Sequence, residues 1–166
     1  MLRASHARKK SEWDARIADV LACPDYAALP RVTGAGRVKD GVQTMHNGVK
    51  VVKDCYYRWR GTLMFAATEG VPEPQEERVF TEVLKFVPPG GVMIELGAGK
   101  VRFVFVSTHS DELHRRCREQ LRKYDFEIIA DADLRGSYSV DGVLVGQLRG
   151  TKGPGRVQIS QRQPPE

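Results

Sequence analysis

Three features of the 166-residue sequence predict an α/β fold. Two apolar runs, Val92-Met93-Ile94-Glu95-Leu96 and Val101 to Ser107, are of strand length and rich in β-branched and aromatic residues. Helical spacing of apolar residues flanks them, with Val79, Phe80, Val83, Leu84 and Val87 before and Leu113, Cys117, Leu121 and Tyr124 after. A glycine turn, Gly97-Ala98-Gly99, closes the first run at the carboxyl end of a strand, where open α/β sheets bind ligands.

Taken in order, residues 1–10 are basic and lack the apolar core of a secretory signal, and they read as a disordered N-terminus. Ser11 opens a helix, with Asp14 three residues on in a capping-box-like pattern and Trp13, Ile17, Val20 and Leu21 on one face; Pro24 and Asp25 end it. Residues 30 to 41 read as a loop. Val42 to Val52 alternates around Asn47-Gly48, which predicts a hairpin with a type I′ turn. His46 then flanks the turn or contacts a substrate. Tyr56, Tyr57, Trp59, Leu63, Met64 and Phe65 suggest a further strand pair bent at Gly61. After the break at Pro72 to Pro74, a helix begins with Glu73, Glu76 and Glu77 near its positive end and stops at Pro88-Pro89.

Beyond the central runs, Ser110 is the expected N-cap of a helix whose Arg115, Arg116, Arg118, Arg122 and Lys123 form a solvated basic face. Residues 127 to 130 and 143 to 148 predict a closing antiparallel strand pair, joined through Gly136 and Asp141-Gly142. From Arg149 the composition turns to Gly, Pro, Gln and Arg, and residues 149–166 read as a disordered tail.

Two readings of the glycine turn fail on spacing. A Walker-type phosphate loop needs Gly where Ile94 stands and Ser or Thr where Val101 stands. The dinucleotide fingerprint needs a third glycine and a helix after the turn. Glu95 adds a carboxylate at the same mouth. His109, at the carboxyl end of the second strand, is placed either to act as a base or substrate contact or to hydrogen-bond in the strand-to-helix turn. His114 and Cys117 lie three apart on one helix, but two ligands do not make a metal site.

The hydrophobic fraction of 41% and charged fraction of 28% are ordinary for a globular chain. A formal charge of +5 comes from dispersed basic residues with no aromatic interleaving, which argues against nucleic acid. Cys23, Cys55 and Cys117 are odd in number and widely spaced, which points to a reducing, cytoplasmic compartment. No apolar run reaches the ~20 residues of a membrane helix.

The run from Pro88 to Gly99 resembles motif I of S-adenosylmethionine-dependent methyltransferases. Residues 45–51, 73–80, 105–114 and 139–142 extend the likeness to a branch of the FkbM-type family, over roughly residues 11 to 148. The resemblance implies a Rossmann-like sheet, here much reduced, with an N-terminal helix and hairpin region. It further implies methyl transfer to an oxygen nucleophile of a small-molecule substrate. Glu95, Gly97, Ala98, Gly99 and Glu77 would line the S-adenosylmethionine site, and His109 is the candidate catalytic residue. One departure is large: the family's units after motif I, with the ribose-binding acid and the central active-site motif, have no counterpart, and Lys100 runs into what resembles the fifth strand. The alternative is a non-catalytic remnant acting as an interaction module through exposed sheet edges. Four residues, Gly97 to Lys100, are too few for a parallel crossover, so the strands at 92 to 96 and 101 to 107 are expected to be antiparallel or continuous.

Overall fold

The computed structural model describes residues 2–86 and 101–163, with residues 2–11 as backbone only. The chain is mixed α/β: the described residues form five helices and two three-stranded antiparallel sheets. It divides into two compact units, Met1–Pro74 and Gln75–Glu166, where the sequence predicts one domain over 11–148.

In the first unit, α1 spans Leu2–Ala22 and α2 spans Pro24–Ala28. The expected disordered start is therefore helical. Leu2 to Lys10 holds no Gly or Pro and is built largely of Leu, Ala, Arg and Lys, which favour helix. Val20 is fully buried while Leu21 is exposed, so the core-facing stripe of α1 is narrower than its spacing suggests.

A sheet of β1 (Val38–Lys39), β2 (Val42–Thr44) and β3 (Lys50–Val52) follows, in the order β1-β2-β3. The hairpin predicted around Asn47-Gly48 is present, but its turn differs. The Gly48 amide donates to the Met45 carbonyl, and only Gly48 of the central residues has a positive φ, at 90°. This is a turn closed by a left-handed glycine, in which the Asn47 carboxamide oxygen accepts from the Val49 amide. The two-residue turn with positive φ at both centres is instead Asp40-Gly41, inside the segment that reads as a loop.

Residues Trp59–Ala67 form α3, not a strand pair. Gly61, Met64 and Phe65 are buried at helical spacing. A Cβ on Gly61 would stand 1.7 Å from the Tyr56 carbonyl oxygen, so the glycine allows the preceding chain to cross the helix closely rather than bending a strand.

The second unit is built on β4 (Phe103–Thr108), β5 (Phe126–Ala132) and β6 (Gly142–Leu148), in the order β4-β6-β5. Both pairings with β6 are antiparallel, so β4 and β5 run parallel on either side of it. The strand predicted at 92 to 96, and with it the connection to β4, lies outside the described residues.

Residues 142 to 147 of β6 are buried, as expected for a strand covered on both faces. On one face Val143 and Val145 join Val79 and Val83 of α4 (Pro74–Leu84) in the core, with Phe80 edge-on to Phe105 at 5.7 Å. Facing the other way, Gly142 and Gly146 lie against His114 and Leu121 of α5 (Asp111–Lys123). The sequence predicts α5 and its cap correctly, since the Ser110 hydroxyl accepts from the Leu113 amide.

The segment after Arg149 departs most from expectation. It lies along β5 as a strap: the Val157 backbone amide donates to the Ile129 carbonyl, the Gln161 side-chain carboxamide to the Asp131 carbonyl, and Val157 and Ile159 are buried. Two apolar residues in a polar stretch are enough, because the free edge of β5 supplies the hydrogen bonds that the strap needs.

Candidate functional site

The register of β4 and β6 pairs Thr108 with Gly142, which sets His109 and Asp141 side by side just beyond the paired strands. Their side chains meet: His109 Nδ1 lies 2.6 Å from Asp141 Oδ1. An ionised carboxylate only accepts, so Nδ1 carries the proton and the neutral ring has its lone pair on Nε2. The imidazole is 74% exposed and Asp141 only 16%, so the carboxylate is fixed at the base of the pair and the ring projects into solvent. A hydroxyl brought to Nε2 would find a proton acceptor oriented from behind by a carboxylate.

One residue inward lies a second, buried network. Thr108 is fully buried and His114 is 2% exposed. His114 Nε2 donates to Asp131 Oδ1 at 2.9 Å, and the neutral ring's Nδ1 accepts from the Thr108 hydroxyl at 2.7 Å. Arg118 donates to the same Asp131 oxygen at 2.8 Å. Burial pushes the Asp131 carboxyl up, but hydrogen bonds from His114 and Arg118 and the positive guanidinium outweigh it and hold its pKa below the ordinary carboxylate value. Although its order of groups resembles a hydroxyl-imidazole-carboxylate relay, the Thr108 hydroxyl is closed off from solvent. Its work is to fix the end of β4, and with it the backbone that carries His109.

Neither Asp141 nor Asp131 stands out in the sequence. The first reads as part of an Asp-Gly turn, and the second follows a predicted strand that in fact runs two residues further. His114, grouped with Cys117 by spacing alone, is a core hydrogen-bonding residue; Leu113 and Tyr124, expected on the buried face of α5, are exposed. Arg118 is not on a wholly solvated face but is paired with Asp131.

Of the cofactor contacts that the resemblance suggests, Glu95, Gly97, Ala98 and Gly99 lie outside the described residues. Glu77 sits in the first turn of α4, where its backbone carbonyl accepts from the Thr81 hydroxyl. Of the suggested contacts, Glu77 is the one among the described residues, on α4. His46 is buried in the first unit, with Nδ1 3.2 Å from the Pro30 carbonyl, which supports its role beside the turn. Among the described residues, no three His, Cys, Asp or Glu side chains converge as metal ligands, and no helix is long and apolar enough to cross a membrane. Compared with protein-family models, curated proteins and solved structures, the chain matches none of them.

Proposed function

We propose that the second unit presents His109 as a general base toward a hydroxyl acceptor, in a methyl transfer of the S-adenosylmethionine-dependent, FkbM type that the motif around Gly97 and Gly99 suggests. The observation that carries this reading is the 2.6 Å contact between His109 and Asp141 with the ring exposed. As the acceptor oxygen forms its new bond to carbon, its O–H bond breaks and the proton passes to Nε2. Asp141 then faces an imidazolium and stabilises it by charge. When bound, S-adenosylmethionine would supply the electrophilic methyl group, whose bond to the sulfonium sulfur breaks as the neutral thioether leaves. The antiparallel pair of β5 and β6 supports the same reading, because the resemblance expects such a pair to close the sheet.

The test is transfer of a radiolabelled methyl group from S-adenosylmethionine to a panel of small hydroxyl-bearing acceptors. His109→Ala should abolish transfer, and Asp141→Asn should lower it by about a hundredfold or more. Both variants should melt within a few degrees of the parent, because a hydrogen bond to a largely exposed ring contributes about 1 kcal/mol. Unchanged transfer in His109→Ala would defeat the proposal.

A second reading, a non-catalytic interaction module, is favoured by the first unit. There β3 is an edge strand with Val52 67% exposed, and Trp59 and Leu63 stand exposed one turn apart on α3. An extended partner segment adding to β3 would use these groups. Parent protein inert toward every acceptor and toward S-adenosylmethionine itself would leave this reading in possession.

A further inference from the structure

We propose that the cleft between α5 and the C-terminal strap binds a phosphorylated small molecule, through Arg122 and Arg156. The cleft holds about 470 Å³ and lies wholly within the second unit. Arg118 and Arg122 of α5 line it together with Arg156 and Gln158 of the strap. Ile128 and Ile129 of β5, with the strap's Val157, supply apolar surface between them.

The balance of charge is what identifies the ligand. Two carboxylates line the cleft with the three arginines, but both are committed. Asp131 accepts from His114 and Arg118, and Asp133 accepts from the backbone amides of Arg135 and Gly136. Arg122 and Arg156 make no ion pair among the described residues, although the exposed arginines Arg115 and Arg149 do. Three guanidiniums against two carboxylates leave the lining one net positive charge, and the two guanidiniums that make no ion pair, beside apolar side chains, are matched by a ligand with an oxygen-rich anionic group at one end and an apolar body at the other. A phosphate monoester carries about −1.5 to −2 at neutral pH and offers oxygens that the planar guanidinium fork meets in pairs. This inference is independent of the reading of His109, which belongs to other residues.

Isothermal titration of the full chain at low salt, with inorganic phosphate and with phenyl phosphate, tests it. Phenyl phosphate should bind, tighter than inorganic phosphate because its ring covers the apolar floor, and should weaken as salt rises. The Arg122→Gln, Arg156→Gln double variant should lose about tenfold or more of that affinity, as expected for lost charge-assisted hydrogen bonds, with an unchanged melting temperature. Arg149→Gln, which removes an arginine paired outside the cleft, should bind like the parent. Equal affinity of the double variant and the parent would overturn the proposal. So would a single-stranded oligonucleotide that binds tighter than phenyl phosphate, since that would make the arginines a track for a phosphate backbone.

Discussion

Asp131 links the buried His114 to the arginine-lined cleft, and its environment makes it a source of acid sensitivity. Because its pKa is lower in the folded than in the unfolded chain, it adds stability in full above the unfolded value, ordinarily about 3.9, and gives that stability up as pH falls toward the folded value. Urea melts from neutral pH to about pH 3 should therefore show the parent weakening most steeply at the acid end. Asp131→Asn should be about 2 kcal/mol less stable at neutral pH, since it replaces the carboxylate shared by Arg118 and His114 with a neutral amide, and should flatten the acid limb. A parallel fall in both proteins would show that the limb arises elsewhere. The cysteines separate in the same local way. Burial raises the Cys23 thiol to about 11, whereas Cys55 is exposed. At neutral pH a maleimide should modify Cys55 within minutes and leave Cys23 untouched until denaturant is added, as mass spectrometry of the tryptic peptides would show.

At the scale of elements, the strap is the part whose loss should matter most. Gln75, at the start of α4, donates to the carbonyls of Gly136 and Ser160 and accepts from the Tyr138 amide, so one buried side chain ties helix, loop and strap together. Val157→Ala should cost about 2 kcal/mol in urea unfolding through the methyl groups it removes. A chain ending at Gly150 should expose the edge of β5 and sediment as aggregates; a monomeric truncated chain would contradict that. Which elements were legible follows from how local their signals are. The cap at Ser110 and the hairpin at Gly48 are written in adjacent residues and were readable. Two features depend on partners distant in the chain and were not: the strap, whose two buried residues need β5 before they mean anything, and Asp141, which becomes a partner for His109 only once β6 lies beside β4; α3 was missed for a nearer reason, because the close approach of the Tyr56 carbonyl that Gly61 permits shows only in the folded chain. For the same reason His109 was readable as a candidate from its place at a strand end, while the carboxylate that orients it was not.

On the scale of the whole molecule, the second unit buries its own apolar residues. Val79, Val83, Ile129, Val143 and Val145 form one cluster within Gln75–Glu166, and the hydrogen bonds of Gln75 stay inside that unit. Residues 75–166 expressed alone should therefore unfold cooperatively, with near-ultraviolet circular dichroism from a packed core; a featureless spectrum would show that the first unit is required. The strand order β4-β6-β5 bears also on how the protein is made. The strand at the centre of the sheet is the last of the three to leave the ribosome, and the two that precede it have no edge in common. Until residues 142 to 148 emerge, β4 and β5 lack, among the described residues, the strand that pairs with both. The sheet then closes by insertion of that strand between them. A nascent chain stalled before Gly142 should be digested throughout β4 and β5 by a protease that leaves the completed unit intact, so that these strands become durable only after β6 has been made.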